Sequence, residues 1–415
     1  MKSHFVNGCY RLVDTINEDT LYSSINTDKS NHLVIGYISG NDSTDFTAFG
    51  KIVTNTGIMP QPFRLSNNSE NAQSNVCLTR ISATDSFVAV WDEQTDENEK
   101  NIFIRYFSLS ANGTLQAQQA AQKISNSAGV NVAPRIIYNH ANGLFFVTWF
   151  SMLNKSIQMQ YLSFDEAANT FKDTSYISEL EDTVDAEFFA DDLNLHTSTR
   201  LNLCLTQAEG NDIISVNIDD HSVGFYECTC SNSKITQTKL LEYQTTDIKK
   251  FTTAYDSFNK KLKIVYTLEY AVDEEATVLY SDVYGDSISY FPGKKMMAKV
   301  GAERLELNLA NHKTSFPVIE SFTCTTADIS DIRFIIAWKT DDNGVSFNEF
   351  SSDFIPLTVE SNVSSASVSA SAPSVTVTNN QKGVIFSAAG IGSSSLYKSA
   401  ILMAVETLSA NSLSQ

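Results

Sequence analysis

One strand-like phrase recurs seven times along this chain of 415 residues, and that recurrence limits what the chain can fold into. The copies are residues 32–37, 87–91, 144–149, 201–206, 262–267, 333–338 and 383–387. Each is rich in β-branched and aromatic side chains, and most end on Tyr, Trp or Thr. With Tyr37, Trp91, Trp149, Thr206, Tyr266, Trp338 and Phe386 as anchors, the spacings are 54, 58, 57, 60, 72 and 48 residues. A period of roughly 50–60 residues, with several strands in each unit, signals a β-propeller.

The unit is clearest in the second and third copies. Residues 76–81 read as a strand, 83–86 turn, 87–91 return, a polar loop follows, then 101–109, a turn at 111–113, and a closing strand at 121–125. The next copy repeats this with 134–138, a turn at 140–143, 144–149, 156–163 and 174–178. Asn142-Gly143 between β-rich runs predicts a hairpin with a type I′ turn, because both central residues need positive φ. Four strands make one blade. The closing strands align at 63–66, 122–125, 175–178, 238–241 and 355–358. The N-terminus holds an isolated match at residues 9–13, and the C-terminus holds three strands without a fourth. Residues 9–13 are therefore expected to supply the outer strand of the last blade, which leaves no unpaired edge.

The expectation is a single all-β domain over residues 1–415, with seven four-stranded blades near 15–66, 73–125, 132–178, 188–242, 251–308, 314–360 and 372–405, the last completed by 9–13. Residues 188–308 fit the repeat only with irregular loops, so a count of six or eight also fits. The low-complexity stretch 361–374 falls on a link between blades and reads as a long loop.

These repeats, with their Pro-x-Ile, Val-x-Trp and Ile-x-x-Gln/Arg-x-x-Ser phrasing, resemble seven-bladed β-propellers of the broad sialidase-like or lectin-like kind. The resemblance spans nearly the whole chain and implies the architecture. The Ser-x-Asp-x-Gly-x-Thr-Trp box of sialidases does not occur, nor do a WD40-type Trp-Asp at the right phase or a kelch-type paired Gly. Fold does not carry function with it.

Charge is the strongest signal beyond the repeat. The chain has 29 basic and 48 acidic residues, a net charge of −19. Such a field disfavours nucleic acid and anionic membranes, and suits basic partners, cations or neutral sugars. The carboxylates concentrate in the loops assigned between second and third strands: Asp42 and Asp45; Asp92, Glu93, Asp96, Glu97 and Glu99; Glu209 and Asp212; Glu269, Asp273, Glu274 and Glu275; Asp341 and Asp342. The inter-blade stretch 178–192 adds Glu179, Glu181, Asp182, Asp185, Glu187, Asp191 and Asp192. In a propeller these loops share one face. The expected function is therefore a non-catalytic scaffold engaging a basic protein surface through Asp92, Glu93, Asp96, Glu97, Asp341 and Asp342. The competing reading of each loop is a solvated turn that keeps the protein soluble.

Trp91, Trp149 and Trp338 fall at one phase, shared with Tyr37 and Tyr266. As a ring of aromatic faces they suit a carbohydrate-binding, lectin-like propeller; as bulky strand residues they suit packing between blades. A glycan-active enzyme such as a glycosidase is the third reading, drawing two carboxylates from different blades. The six histidines show no metal-ligand spacing, and no nucleophile or phosphate-loop motif is legible. No cofactor is expected beyond weak calcium at the carboxylates. The cysteines are scattered and read as free thiols, and Cys228 and Cys230 share a face if they lie on a strand. The N-terminus lacks the apolar core of a signal peptide, and no apolar run is long enough to span a bilayer. A monomer is expected, in the cytoplasm or exported by a route without a signal peptide.

Overall fold

The computed structural model describes residues 10–16, 19–40, 46–54, 61–67, 71–81, 84–126, 128–181, 202–219, 221–245, 248–271, 279–308, 314–325, 330–340, 344–358, 360–362, 369–370, 373–377, 382–390 and 399–407. Apart from one short 3-10 turn at Pro292–Lys294, the regular structure among them is β. The fold is an all-β propeller. No helix among the described residues is long and apolar enough to cross a membrane.

The chain opens with β1 (Tyr10–Ile16). Blade one follows as β2 (Asp19–Thr27), β3 (Leu33–Gly40), β4 (Thr47–Val53) and β5 (Phe63–Arg64). Blade two comprises β6 (Gln73–Ile81), β7 (Ser86–Asp96), β8 (Glu99–Leu109), β9 (Leu115–Gln118) and β10 (Gln122–Lys123). Blade three comprises β11 (Asn131–Asn139), β12 (Leu144–Ser151), β13 (Ser156–Asp165), β14 (Thr170–Asp173) and β15 (Ser178–Glu179). Blade four is β16 (Leu203–Ala208), β17 (Asn211–Asp219), β18 (Ser222–Ser231) and β19 (Lys234–Gln244). Blade five is β20 (Ile248–Asp256), β21 (Lys261–Ala271), β22 (Leu279–Phe291) and β23 (Met296–Glu306). Blade six is β24 (Thr314–Thr325), β25 (Ser330–Thr340), β26 (Gly344–Ser351) and β27 (Ser361–Asn362). Last come β28 (Ser369–Ala370), β29 (Ser374–Val377), β30 (Lys382–Gly390) and β31 (Ser399–Thr407).

Six blades are thus wound from consecutive, antiparallel strands, and the expectation of seven like blades is corrected to six. The remaining strands make a composite sheet from the two chain ends, in the order β1-β31-β30-β28, with β29 also on β30. There Tyr10 opposes Ala404 and Ile16 opposes Ser399, so the N-terminal strand does pair with the C-terminal one. Blades two and three carry a fifth short strand because the third strand pairs two separate pieces. In blade three β14 pairs Leu162–Asp165 at one end of β13, and β15 pairs Gln158 and Met159 at the other.

By internal contacts the chain forms two compact units. One holds blades one to four, apart from a few residues of blades one and four; the other holds blades five and six and the composite sheet. In the first unit successive residues of a second strand face opposite neighbours. Phe87, Ala89 and Trp91 join Val34, Ile38 and Leu65 of blade one in one core. Val88 and Val90 join Phe145, Val147 and Trp149 of blade three in the next. Phe146 and Phe150 join Ile214 and Val216 of blade four in a third. A strand buried on both faces has no polar side, which is why these copies read as continuous apolar runs rather than alternating ones. Within the second unit, Phe334, Ile336 and Trp338 of blade six pack on Val265 and Val283 of blade five in the same way.

The first strands of blades two, three and six share a bulge. Asn75, Ala133 and Phe316 take φ of 53°, 54° and 49°, and the ladder slips there, between Ser74 and Cys77, Val132 and Arg135, and Ser315 and Val318. The turn before β12 differs from the expected type I′. Gly143 alone has positive φ, 73°, and its N–H donates to Asn139 O at 2.8 Å. A single left-handed glycine closing a longer turn needs only one residue at positive φ.

Candidate acidic face

The structure divides the sequence-selected carboxylates into two kinds. In blade two the polar loop expected from residue 92 is largely strand: β7 runs to Asp96, β8 starts at Glu99, and Asp92 and Glu93 oppose Ile102 and Asn101. Both acids are buried, at 0% and 3% exposure. Asp92 accepts hydrogen bonds from Ser74 Oγ, from Asn75 Nδ2 at 2.7 Å and from Ala133 N at 3.2 Å, and it pairs with Lys100 Nζ at 3.1 Å. Asn75 and Ala133 are the bulge residues of two adjacent blades. A bulge removes donors from the ladder, and buried donors need acceptors. Asp92 supplies one to the backbone N–H of Ala133 in blade three and another to the side-chain amide of Asn75 in blade two. Glu93 accepts from Ser66 Oγ at 2.7 Å, Asn71 Nδ2 at 3.1 Å and Trp91 Nε1 at 3.1 Å. Asp92 and Glu93 therefore brace the fold, and the expectation that they face a partner is corrected.

Trp91, Trp149 and Trp338 are each 0% exposed. Their rings pack toward the preceding blade and offer no face to a sugar, so the aromatic ring expected of a lectin is replaced by an inter-blade core. Tyr37 and Tyr266, at the same phase, are 3% and 0% exposed. Asp341 and Asp342 lie outside the described residues, as do Asp42, Asp45, Asp273, Glu274 and Glu275.

Glu209 and Asp212 belong to the opposite end of their blade. Residues 203–208 form the first strand of blade four, not the second, so both acids sit by a first-to-second turn. Asp212 is 1% exposed and accepts from Tyr161 Oη and Asn139 Nδ2, each at 2.9 Å, across the boundary between blades three and four. Burial pushes its carboxyl up to about 6, against the opposing pull of the Asn139 and Tyr161 hydrogen bonds. Burial first, and the Asp212 charge second, push the Tyr161 phenol upward. A carboxyl raised on folding holds its proton more tightly in the folded state. Asp212 thus contributes stability that is full below about pH 4 and lost as the pH rises through about 6. Against Asp212→Asn, wild-type stability is expected to fall by on the order of 2–3 kcal/mol between about pH 4 and pH 7. Urea unfolding of both proteins across that range checks this; parallel curves would refute it.

The exposed carboxylates sit at the blade tips. Asp96 and Glu97 are exposed on the β7–β8 turn, where Glu97 N donates to Asp96 Oδ1 at 2.7 Å. The Glu99 carboxylate is partly open and is held below its ordinary range, first by the Asn101 side chain and then by Lys123. In blade three Glu179 is exposed and accepts from Asn154 Nδ2 at 2.8 Å and Gln158 Nε2 at 3.0 Å, with exposed Glu181 beyond it. Residues 129–130 stitch these tips together, since Lys100 N donates to Gly129 O at 3.2 Å and Met152 N to Val130 O at 2.9 Å. Lys100 is turned inward to Asp92, and Lys123 Nζ lies 3.2 Å from Glu99 Oε1. Leu153, on the β12–β13 turn beside them, is 66% exposed. Sequence reasoning missed it, although an apolar residue inside the polar turn Asn154-Lys155 was its signal. Among the described residues no group of three or more His, Cys, Asp or Glu is arranged to hold a metal ion. Cys77, Cys204, Cys228 and Cys230 form no disulfide, and Cys228 and Cys230 do share one face, toward the blade three–four core.

No protein-family model matches the chain, and no curated protein sequence does. Solved structures match through the fold. The polysaccharide lyase Uly1 aligns with a TM-score of 0.51 at 9% identity, over 93% of this chain and 90% of that one. A protein from Lactobacillus plantarum aligns at 0.50 and 10% identity, over 91% and 99%. A Trypanosoma rangeli sialidase, solved with the inhibitor DANA, aligns at 0.48 and 9% over 95% of this chain and 56% of the sialidase. At these identities the likeness is one of propeller architecture.

Proposed function

We propose that this propeller is a non-catalytic binding scaffold that engages a lysine- and arginine-rich protein surface through the tips of blades two and three. The observation that carries the reading is the set of five carboxylates at these tips, exposed Asp96, Glu97, Glu179 and Glu181 and partly open Glu99, with exposed Leu153 on the β12–β13 turn, in a chain of net charge −19. Charge of one sign steers a partner of the other and sets the association rate, and an exposed apolar side chain gives the contact somewhere to exclude water. A lysine- and arginine-rich peptide is expected to bind with an affinity that falls steeply with salt, while a panel of neutral glycans gives no signal. Salt-insensitive binding to a glycan would replace this reading with a carbohydrate-directed one. That second reading draws on the fold of Uly1, a polysaccharide lyase, and lacks an outward aromatic at the phase where the tryptophans lie.

Calcium enters this proposal only as a diffuse counter-ion. Millimolar calcium is expected to move the melting temperature by less than about 2 °C, as befits weak binding without a seated site. A thermal-shift titration checks this, and a large saturable shift would put a metal site into the account.

A further inference from the structure

Blades five and six carry a second surface of opposite character. Two hairpin turns of blade five, β20–β21 and β22–β23, each set an aromatic beside a lysine pair: Phe258 with Lys260 and Lys261, and Phe291 with Lys294 and Lys295. Phe258 is 71% exposed, Phe291 42% and Met296 41%. The turns lie side by side, since Tyr290 N donates to Lys260 O at 3.1 Å and Tyr255 meets Tyr290 edge-on at 6.4 Å. The β26 turn of blade six joins them: Lys263 Nζ donates to Ser352 O, Lys261 Nζ lies 4.0 Å from Asp353, and Ile355 is 61% exposed. A side chain added at Gly293, at the crest of the second turn, would meet nothing within 4 Å. Asp256 does not offset the lysines outward. It is 0% exposed and accepts from Phe258 N at 3.2 Å and Asn259 N at 3.0 Å.

We propose that these turns dock the protein on an anionic lipid bilayer. Phe258, Phe291, Met296 and Ile355 enter the boundary between headgroups and acyl chains, and Lys260, Lys261, Lys294 and Lys295 engage the anionic headgroups. Charge complementarity selects this partner, because Lys260, Lys294 and Lys295 stand beside the exposed apolar tips, with Lys261 set against exposed Asp353, in a chain of net charge −19. The net charge of −19 does not oppose docking at this range. In physiological salt a charge is screened beyond about 8 Å, so the local lysines set the interaction at contact. The apolar side chains stand on separate projecting turns. A bilayer closes around such tips, with the lysine stems lying along the same boundary and their ammonium groups in the headgroups. The inference does not rest on the acidic-face proposal.

Co-sedimentation of the full chain with vesicles tests it. Binding is expected to vesicles of phosphatidylcholine and phosphatidylserine in roughly a 7:3 ratio, and not to phosphatidylcholine alone. Phe258→Ser with Phe291→Ser should weaken it by roughly ten-fold or more, as should Lys294→Gln with Lys295→Gln. Both double variants alter exposed turns and should keep the wild-type melting temperature. Absence of binding to the anionic vesicles would overturn the proposal. So would binding that survives the Phe→Ser pair and is lost only in the Lys→Gln pair, the outcome expected of a surface built for an acidic protein.

Discussion

Asp92→Ala is expected to cost about 3–5 kcal/mol of folding stability, whereas Asp96→Ala, four residues along the same strand, should cost less than about 0.5 kcal/mol. Asp92 is fully buried and serves two blades at once. Its loss leaves Lys100 Nζ, Asn75 Nδ2 and Ala133 N facing an emptied site. Lys100 has only 14% of its side chain exposed, so its charge is not simply returned to water. Unsatisfied buried donors retain their full desolvation penalty, and a buried charge without its partner adds to it. Asp96 ends its strand in solvent, and its side chain caps the next N–H of an exposed turn. Denaturant unfolding of the two variants against wild type makes the comparison. Equal, small losses would mean that Asp92 belongs with the surface carboxylates after all.

Deleting residues 1–16 should destabilise the composite sheet by several kcal/mol and broaden the unfolding transition. The deletion removes β1, which pairs β31 from Tyr10↔Ala404 to Ile16↔Ser399. At about 0.5–1.5 kcal/mol for each backbone hydrogen bond lost, a strand of this length is a large share of what holds a domain together. It also bares the outer edge of β31, a ready site for pairing with another chain. Calorimetry and light scattering should show a lower melting temperature together with self-association. A truncated protein that melts like wild type and stays monodisperse would mean that the pairing of the chain ends contributes nothing.

The second strands were legible where neighbouring blades cover both of their faces, as at β7 and β12, and β3, β7, β12, β21, β25 and β30 all fall on the sequence-derived copies. The fourth copy misled for the same reason in reverse. The second strand of blade four, β17, buries Ser215 and Asn217 among Ile213, Ile214 and Val216, so its apolar run is broken. Residues 201–206, mostly its first strand, look more like the phrase. That shift of one strand moved Glu209 and Asp212 to the wrong end of the blade. The chain ends were paired correctly, but among the described residues the sheet they build has the short strands β28 and β29 on its far side, and a repeat count cannot reveal that.

Burial of charge was the part of the site that sequence could not give. Carboxylates in a polar stretch are ordinarily solvated, and nothing in Asp92-Glu93-Gln94 shows that a bulge in the next blade needs an acceptor. The tryptophans were placed at the right phase, and their burial decides between packing and ligand binding. The lysine-aromatic turns were visible in the sequence as Phe258-Asn259-Lys260-Lys261 and Phe291-Pro292-Gly293-Lys294-Lys295. Only their adjacency and exposure make them a surface. A net charge describes the field at a distance, not the chemistry at a contact.

The tip carboxylates are the centre of the functional account, and replacing them is its most direct test. Asp96→Asn, Glu97→Gln, Glu99→Gln, Glu179→Gln and Glu181→Gln together should leave the melting temperature near that of wild type, since all five groups lie at the surface. Binding of a lysine- and arginine-rich peptide, measured by titration calorimetry at low and at physiological salt, should weaken by roughly ten-fold or more at low salt and lose most of its salt dependence. Unchanged affinity and an unchanged salt dependence in this folded variant would contradict the proposal that the tips of blades two and three form the binding face.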